Sequence, residues 1–516
     1  MEKGIFMQFS GLLFYDVETK EIVDPPQIQH YIRDLNIDQI IDSITINKNE
    51  YNLKPFFYTT ITDQNLINYR QEIMRDLENK DLLKCVQSFC EGMIIVRKDL
   101  QKSTNYYYLN QKQRWLLDAA GKYCYYVKEF YERLKSIDLK SRGLLDFRQF
   151  LEGYLSSQKF IVMNKEIIDI QDALARVKYA LLIKENTISV RRYEQQENFQ
   201  IEIESTFAKF KQNSNKNYLY EFKYENEMNH IEAAIVKNVE QLFPDVFASL
   251  RTFYENYQNF QDATIQKFDR EVQFYVSYLE YIQKFKNSGY HFCYPDMTQE
   301  KDIMAKGCFD LALANNLLGE NKKIITNDFF LKNKERIIVV TGPNQGGKTT
   351  FARTFGQLHY FGSLGCLVPG YKARLFIFDN IFTHFEKQEN IKNLRGKLQD
   401  DLIRFAEIFK NATSNSIFLI NEIFSSTTLS DAVFLAKKIM EKISRLDALC
   451  VCVTFIDELS TLSEKTVSMV SNIEKDNPNH RTFKITRKPA DGLSYALSIA
   501  EKYNLTSSQI KDRITS

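Results

Sequence analysis

The feature that most constrains this fold is a glycine-rich segment between an apolar, β-branched run and a helical pattern. The run Ile337–Thr341 precedes Gly342-Pro-Asn-Gln-Gly-Gly-Lys-Thr349, which fits the pattern G-x-x-x-x-G-K-[ST]. An amphipathic helix candidate follows from Phe351 to Tyr360. Glycines let backbone N–H groups turn inward around phosphate oxygens, and the helix N-terminus adds positive potential. The order predicts a strand–loop–helix unit that binds a nucleoside triphosphate.

Two side chains of this loop have predicted roles in phosphate and metal binding. Lys348 is placed to reach the β- and γ-phosphates, and the Thr349 hydroxyl is placed to bind Mg²⁺. ATP and Mg²⁺ are therefore the expected cofactors. The predicted nucleotide-binding residues of the loop are Gly342, Pro343, Asn344, Gln345, Gly346, Gly347, Lys348, Thr349 and Thr350.

An acidic residue at the end of a second apolar strand completes the predicted site. The strand Ser416-Ile-Phe-Leu-Ile-Asn-Glu422 ends in Asn421 and Glu422. Glu422 is placed to orient or deprotonate the attacking water, so Glu422 and Lys348 are the predicted catalytic residues. Glu422 and Thr349 are the predicted Mg²⁺ ligands. Most such strands end in Asp-Glu, and the uncharged Asn421 predicts metal affinity or turnover lowered by about 10- to 100-fold.

Length and composition exclude several classes of protein. With 516 residues the chain is long enough for several domains, and its net charge of +2 requires any nucleic-acid-binding face to be local. We see no signal peptide and no apolar run long enough to cross a bilayer. The eight cysteines and six histidines lack metal-binding spacing, which predicts free thiols in a reducing compartment. A cytoplasmic protein without a membrane partner is expected.

The spacing of apolar residues along the chain changes twice before the glycine-rich loop. Helical spacing dominates from about residue 63 to residue 175 and resumes after residue 217. Between these stretches, Tyr179–Ile183, Ile188–Val190 and Phe199–Ile203 have strand patterns. A small sheet is therefore predicted to interrupt the helices. Pro295 and the polar residues after it mark the predicted start of the nucleotide domain.

Further short segments follow the loop in a fixed order. They are Gly362–Pro369, Asp379–Thr383, Asn411–Thr413, Ser426–Thr428, Asp457–Leu459 and Leu493–Ala500. Together with Gly342-Pro-Asn-Gln-Gly-Gly-Lys348, this order resembles the MutS family of DNA mismatch-repair ATPases, with Gln345 where Met is usual. The resemblance covers about residues 300 to 516 motif by motif, and the helical part only in its layout.

The resemblance implies a multidomain fold. We expect a long α-helical lever with a small β-containing clamp insertion, followed by an α/β P-loop ATPase domain of the ABC-like type. The expected limits are 1–177 for the first part of the lever, 178–225 for the clamp, 226–300 for the returning lever and 301–516 for the ATPase domain.

Several positions depart from the family pattern. Gly396 and Lys397 stand where the family has the Ser-Thr pair that reaches the γ-phosphate of the partner subunit's nucleotide. Lys397 is expected to contact that phosphate instead, so Lys397 and Asn421 join the predicted nucleotide-binding residues. Phe455 replaces an expected histidine, and Ile324 falls near the position of the aromatic that stacks on adenine. These changes predict slow turnover.

The N-terminal part is too short for the mismatch-recognition domains of a full MutS protein. Such a protein carries two further domains before the lever, one with a Phe-x-Glu wedge. Phe89-Cys-Glu91 and Phe253-Tyr-Glu255 match this pattern, but both lie in helical segments, which favours a core phenylalanine beside an exposed glutamate. We expect neither direct mismatch recognition nor a C-terminal nuclease extension.

The function implied by the resemblance is that of a nucleotide-gated clamp. Two chains, joined as a homodimer through their ATPase domains, would enclose branched or distorted DNA and hydrolyse ATP slowly. The predicted phosphate contacts, which would not read sequence, are Lys184, Arg191, Arg192, Lys209, Lys211 and Lys216. The alternative for these residues is an ordinary solvated rim, because glutamates are interleaved with them.

Three other functions compete with the clamp. Asn421, Gly396 and Phe455 are compatible with a weakly or non-hydrolysing, nucleotide-gated scaffold that acts on a protein or ribonucleoprotein partner. An ABC- or SMC-type ATPase would need a Ser-Gly-Gly signature, which residues 390–415 lack. A small-molecule kinase would need an arginine-rich lid, which we cannot locate in the sequence.

Overall fold

The chain forms two compact units that combine helices and sheets. The computed structural model describes residues 9–15, 29–185, 187–194, 227–320, 322–385, 396–424, 427–474 and 481–490. Unit 1 comprises Met1–Phe9, Lys80–Leu139 and Leu145–Asp269, and unit 2 comprises Ser10–Asn79, Lys140–Leu144 and Arg270–Ser516. The predicted limits of lever, clamp and ATPase domain stay predictions, because a division into two units does not test them.

Helices dominate the first three hundred residues, and strands become frequent after them. The helices are α1 (His30–Asp34), α2 (Ile37–Ile44), α3 (Lys54–Tyr58), α4 (Gln64–Leu77), α5 (Lys80–Asn105), α6 (Leu109–Lys135), α7 (Arg142–Leu155), α8 (Gln158–Ala175), α9 (His230–Leu242), α10 (Pro244–Asn256), α11 (Ala263–Asn287), α12 (Leu311–Gly319), α13 (Lys348–Ser363), α14 (Lys397–Asn411) and α15 (Leu429–Leu446). Across the described ranges, no helix is both long enough and apolar enough to cross a membrane.

Among the residues that the structure describes, the strands form four separate sheets. They are β1 (Tyr179–Lys184), β2 (Thr187–Arg192), β3 (Phe292–Cys293), β4 (Asp296–Thr298), β5 (Ile303–Cys308), β6 (Asn327–Leu331), β7 (Ile337–Thr341), β8 (Val368–Pro369), β9 (Lys372–Phe376), β10 (Ile381–His384), β11 (Ile417–Asn421), β12 (Leu449–Val453), β13 (Thr466–Ile473) and β14 (Arg481–Arg487). The sheet orders are β1-β2, β3-β8, β4-β9-β5-β6 and β10-β11-β12-β7-β13-β14.

Aromatic side chains form much of the core of unit 1. Phe89 of α5 and Phe130 of α6 stack with their ring centroids 4.5 Å apart. Phe147 of α7 and Phe268 of α11 stack at 3.7 Å, and Phe130 also approaches Phe268. All four rings are buried. Stacked and tilted aromatic pairs add to the energy of burial, so these contacts hold the long helices together.

Both Phe-x-Glu sequences are packing features, as predicted. Phe89 and Phe253 are 2% and 1% exposed, whereas Glu91 and Glu255 are exposed to solvent. A wedge that stacks on a base needs an accessible ring. Neither phenylalanine can therefore serve as one without unpacking the core of unit 1.

The predicted strands near residue 180 form an antiparallel hairpin in unit 1. Ala180 pairs with Arg191, Leu182 with Ser189, and Tyr179 with Arg192. Directly paired residues share a face of a sheet, and successive residues alternate between faces. The register therefore places Arg191 and its neighbour Arg192 on opposite faces of the hairpin. The third predicted strand, Phe199–Ile203, lies outside the described residues.

The largest sheet of unit 2 is parallel from β10 to β13, and β14 runs antiparallel to β13. Strands β7, β11 and β12 are buried along almost their whole length, which is typical of a parallel sheet covered on both faces. Cys450 and Cys452 of β12 are buried free thiols, as predicted. Because β7, β12 and β11 are parallel neighbours, their carboxyl ends lie at the same edge of the sheet.

The sequence predicts an amphipathic helix after the glycine-rich loop, and this prediction is wrong. Helix α13 is buried on nearly all sides. Residues from the N-terminal part of the chain cover it within unit 2. The Gln357 side chain donates a hydrogen bond to the Leu35 carbonyl at 2.9 Å, and the Tyr360 hydroxyl donates to the Phe57 carbonyl at 2.7 Å. The sequence does not predict this grouping, because no local pattern connects segments three hundred residues apart.

Candidate nucleotide-binding site

The segment from Gly342 to Gly347 joins β7 to α13 at the carboxyl edge of the sheet. Three of its residues have left-handed backbone conformations, with φ of 115° at Gly342, 59° at Gln345 and 85° at Gly347. A side chain is strained in this region, and glycine is not. The backbone therefore turns sharply within the loop, and the first turn of α13 follows directly. Such a loop at a helix N-terminus is suited to bind an anion.

Strand β13 braces the loop from one side. The Ser471 hydroxyl donates a hydrogen bond to the Gly346 carbonyl at 2.7 Å. A Cβ atom built on Gly346 would lie 2.3 Å from that hydroxyl oxygen and 3.0 Å from the Pro343 carbonyl oxygen. A Cβ built on Gly342 would lie 3.0 Å from the Ser471 carbonyl oxygen. Glycine is thus required by close packing as well as by backbone conformation.

Lys348 is held inside the loop by the loop's own backbone. Its ammonium group donates to the carbonyl oxygens of Gly342 and Pro343, each at 2.9 Å, and the residue is 5% exposed. Burial lowers the pKa of Lys348 to about 8; Glu422 acts to raise this pKa and Arg481 to lower it. A phosphate that accepted these hydrogen bonds would favour the protonated lysine.

Phe455 covers the same ammonium group. The Nζ atom of Lys348 lies 4.4 Å from the centroid of the Phe455 ring, within the range of a cation–π interaction. The ring itself is 51% exposed. Phe455 stands where the resemblance implies a histidine, so an apolar face occupies a position from which an imidazole could donate or accept a hydrogen bond.

Thr349 and Asn421 meet across the edge of the sheet. The Thr349 hydroxyl donates to the Asn421 amide oxygen at 2.8 Å, although 72 residues separate them. Glu422 follows with a left-handed φ of 55°, and its N–H donates to the Val453 carbonyl at 2.9 Å. The Glu422 carboxylate acts on Lys348 electrostatically and raises the pKa of the lysine against the larger effect of burial.

Mg²⁺ fits this arrangement as a partner of a bound phosphate. Within the described ranges, no group of three or more His, Cys, Asp or Glu side chains could hold a metal ion. Mg²⁺ bound with nucleotides keeps several waters and takes few protein oxygens besides the phosphates. The oxygens of Thr349, Asn421 and Glu422 could supply those few contacts.

A cavity of about 530 Å³ opens beside the loop within unit 2. Gly347 and Thr350 form part of its wall, and the rest includes Ile324, Leu317 and Phe483. This size is within the range of small-molecule sites, and the mainly apolar lining suits a planar base. Ile324, which falls near the position of the family's adenine-stacking aromatic, is part of this wall.

One aromatic residue of the cavity wall, Phe483, comes from β14, and sequence reasoning missed it. Phe483 has a left-handed φ of 56°, and its ring lies 3.6 Å from where a Cβ of Gly347 would be. The Asn327 amide donates to the Phe483 carbonyl at 3.1 Å and accepts from the Ile485 N–H at 2.8 Å. Strained backbone held in this way is typical of ligand-binding sites. Nearby, Arg481 donates to the Asn344 carbonyl at 3.3 Å.

Hydrogen bonds connect the segment Asp379–Thr383 to α14. The Asp34 carboxylate accepts a hydrogen bond from the Thr383 hydroxyl at 2.5 Å, and Arg404 of α14 donates to the Thr383 carbonyl at 2.8 Å. The imidazole of His384 lies 3.2 Å from the Asp401 carboxylate of α14. Lys397 is half-exposed at the first position of this helix. Its predicted role in a partner's site stays a prediction.

The predicted nucleic-acid contacts fall into three groups. Arg191 and Lys184 share one face of the hairpin and are exposed. Arg192 points to the other face, where its guanidinium donates to the Leu242 carbonyl at 2.6 Å and lies over the Phe243 ring. Arg192 is therefore engaged in holding the hairpin against the end of α9. The remaining candidates, Lys209, Lys211 and Lys216, lie outside the described residues.

A parallel sheet with a glycine-rich loop between a central strand and a buried helix is an α/β architecture that binds nucleotides in many proteins. The family model for MutS domain V matches residues 338–514. Over this C-terminal part, the chain is similar to the MutS family.

Curated proteins are similar to this chain over the same part. The chain is 28% identical to a DNA mismatch repair protein MutS of Halalkalibacterium halodurans over 210 residues, covering 40% of this chain and 23% of that protein. It is 30% identical to a MutS of Thermotoga maritima over 35% of this chain and 23% of that protein. It is 28% identical to DNA mismatch repair protein Msh3 of Mus musculus, over 37% and 17%. The matched part thus spans less than a quarter of each of these relatives.

Proposed function

We propose that the chain is a MutS-like ATPase that binds ATP with Mg²⁺ and hydrolyses it slowly to control binding to DNA. The observation that carries this proposal is the arrangement of the Lys348 ammonium, the Thr349–Asn421 pair and the cavity beside Gly347 around one loop. A triphosphate in the loop would place its base in the cavity. The relatives, named as DNA mismatch repair proteins, support the association with DNA repair.

In this proposal each side chain has a separate task. The Lys348 ammonium leaves the loop carbonyls for the β- and γ-phosphates, and the N–H groups at the start of α13 hold the remaining charge. Thr349, Asn421 and Glu422 would hold Mg²⁺ and its waters, and the ion would neutralise charge on the phosphates. Glu422 accepts a proton from, or orients, the attacking water. Phe483 supplies the apolar face for the base.

The same residues support slow turnover. Asn421 offers an amide oxygen where a carboxylate would attract Mg²⁺ more strongly. Phe455 presents a ring to Lys348 and cannot donate a hydrogen bond to a phosphate. Preorganised donors and charges usually supply much of the stabilisation of a phosphoryl-transfer transition state. Losing one charge and one donor therefore lowers the rate without abolishing nucleotide binding.

For DNA we propose a homodimer that acts as a clamp on branched or distorted DNA. Lys397 of one chain would approach the nucleotide of the other, and Lys184 and Arg191 would contact DNA phosphates. Lys209, Lys211 and Lys216 remain candidates for the same role. Phosphate contacts of this kind make affinity fall linearly with log salt, with a slope of about −0.9 per phosphate on duplex DNA.

The proposal is tested by measuring DNA binding in the absence and in the presence of nucleotide. Duplex, forked, four-way-junction and single-stranded DNA are titrated at low and moderate salt without nucleotide, with ATP and with ADP. We expect tighter binding of junction or fork than of plain duplex, and faster dissociation in one nucleotide state than in the other. Lys348→Ala should remove the nucleotide effect, and the exposed Lys410→Ala of α14 is the matched control. Failure of every DNA form to bind at low salt refutes the clamp.

A nucleotide-gated scaffold that hydrolyses ATP weakly or not at all is the second candidate. The contact of Phe455 with Lys348 and the amide at Asn421 favour it. This candidate predicts that nucleotide binds with normal affinity while turnover stays at the level of Glu422→Gln. Measurable turnover that Glu422→Gln removes, and that the exposed Glu407→Gln does not, excludes a non-hydrolysing scaffold.

A further inference from the structure

The connection between α5 and α6 in unit 1 consists of three consecutive tyrosines, Tyr106 to Tyr108. Small and polar residues usually form such short connections, because aromatic side chains gain little there. The Tyr107 side chain is 81% exposed. Among the described residues, no other large hydrophobic side chain is as exposed. Helix geometry alone does not account for three aromatic rings at this position.

The connection is fixed in position although the Tyr107 ring is open to solvent and the Tyr106 and Tyr108 rings are partly exposed. The Tyr107 N–H donates to the Glu227 carboxylate at 3.0 Å, and the Met228 N–H donates to the Gln111 side chain at 3.2 Å. The Tyr107 and Tyr108 rings meet at 90°, with centroids 5.1 Å apart. A ring of high exposure on a held backbone can bind a planar partner at low entropic cost.

A tryptophan and a lysine extend this surface. The Tyr106 ring meets the edge of Trp115 at a centroid distance of 6.3 Å, and the Lys102 ammonium lies 3.7 Å from the centroid of the Trp115 ring. We call Lys102, Tyr106, Tyr107, Tyr108 and Trp115 the tyrosine tip. It combines aromatic faces and a cation, which is the composition of surfaces that bind unpaired bases.

The charge around the tyrosine tip is moderately positive. Residues 98 to 122 contain five lysines and arginines but two aspartates. Lys102 and Lys122 both contact the Asp99 carboxylate, and Glu227 adds a nearby negative charge. The remaining excess is small, so stacking has to contribute more to affinity than phosphate contacts do.

We propose that the tyrosine tip stacks on unpaired bases of single-stranded nucleic acid. Bases inside an intact duplex are stacked on each other and cannot reach a protein ring, whereas strand ends, gaps and branch points expose them. The inference rests on the proposed binding of branched or distorted DNA and names a site for the unpaired part. It also predicts a weak salt dependence for this contact, unlike that of the hairpin.

Trp115 makes the site directly observable, because it is the single tryptophan of the chain. The full chain is titrated at fixed salt with a short oligothymidylate, the matching oligouridylate and a blunt duplex of the same length. Tryptophan fluorescence and fluorescence anisotropy of the labelled oligonucleotide are recorded together. We expect both single strands to change the Trp115 fluorescence and the blunt duplex to leave it unchanged.

Variants separate stacking from general binding. Tyr107→Ala should weaken single-strand binding by about 5- to 150-fold, the range for loss of one base–aromatic stack. Tyr107→Trp in a Trp115→Phe background should keep the affinity and respond more strongly in fluorescence. Tyr125→Ala is the matched control, because this tyrosine of α6 is 60% exposed and lies outside the tip. Circular dichroism melting confirms that each variant is folded.

An unchanged Trp115 signal together with equal affinities of the wild type and Tyr107→Ala overturns the inference. A tip that binds a protein partner instead would give this same result. ATP turnover and junction binding, measured on the same preparations, decide the proposed function separately. If both persist while the tip shows no effect, only the tip assignment fails.

Discussion

Nucleotide affinity should fall as pH rises through about 8, because Lys348 of the nucleotide-free protein loses its proton there. With a pKa of about 8, Lys348 is about 90% protonated at pH 7 and about 10% at pH 9. An ordinary lysine, with a pKa of about 10.4, stays almost fully protonated over this range. If the charged form alone binds the triphosphate well, the affinity for ATP should fall about tenfold from pH 7 to pH 9.

The direction of the pH dependence follows from the cause of the lowered pKa of Lys348. Burial lowers the pKa of the free site, and a bound phosphate raises it again, so binding above pH 8 takes up a proton. Isothermal titration with excess Mg²⁺ in buffers of different ionisation enthalpy measures both the affinity and the proton uptake. At pH 7 little uptake is expected, since the lysine is already charged.

Two variants test whether Lys348 is the titrating group. Lys348→Arg keeps a permanent positive charge, so its affinity should be lower but independent of pH between 7 and 9. Lys410→Ala, an exposed change on α14, should keep the wild-type dependence. A flat affinity of the wild type over this range refutes the reasoning. The same pH dependence in Lys348→Arg would show that another group titrates.

Four further substitutions have defined expected results. Gly346→Ala places a methyl group 2.3 Å from the Ser471 hydroxyl oxygen; we expect a cost of about 1–3 kcal/mol in thermal unfolding and partial recovery in the double variant with Ser471→Ala. Phe483→Ala should weaken ATP by about 2- to 10-fold through loss of stacking, measured by equilibrium titration, whereas an equal loss for inorganic triphosphate would contradict a contact with the base. Arg191→Ala should reduce the salt slope of duplex binding by about one, while Arg192→Ala should lower the melting temperature and leave the slope unchanged; the reverse pattern would show that the two faces are assigned wrongly.

The parts of the site that are local in sequence could be predicted. The glycine pattern, the preceding strand and the following helix define the loop, and each needs only a few neighbouring residues. The pairing of Thr349 with Asn421 was also accessible, because parallel strands bring their carboxyl ends to one edge. The apolar strand before Asn421 was sufficient to place it there.

The residues that surround the loop could not be predicted in the same way. Ser471, Arg481 and Phe483 come from β13 and β14, more than a hundred residues later. Their positions depend on the antiparallel register of the two strands and on its irregularity between Ser471 and Ile473. No residue pattern specifies that irregularity. Phe455 departs from the family pattern in the sequence, but its contact with Lys348 is visible only in the structure.

The two arginines of the hairpin, Arg191 and Arg192, are a second case in which the sequence alone does not predict the arrangement. Sequence reasoning grouped Arg191 and Arg192 as one basic patch. Pairing with Ala180 and Tyr179 sends them to opposite faces, and only Arg191 remains on the face of Lys184. A shift of register by one residue would reverse the assignment, so the pairing itself carries the information.

Single-turnover hydrolysis of prebound ATP tests the central claim most directly. The protein is loaded with γ-labelled ATP and Mg²⁺, and released phosphate is followed for the wild type and for Glu422→Gln, with Glu407→Gln as control. The account predicts slow but complete hydrolysis by the wild type and by the control, and retention of intact ATP by Glu422→Gln. Equal hydrolysis by all three proteins, or failure of the wild type to bind ATP at all, would contradict it.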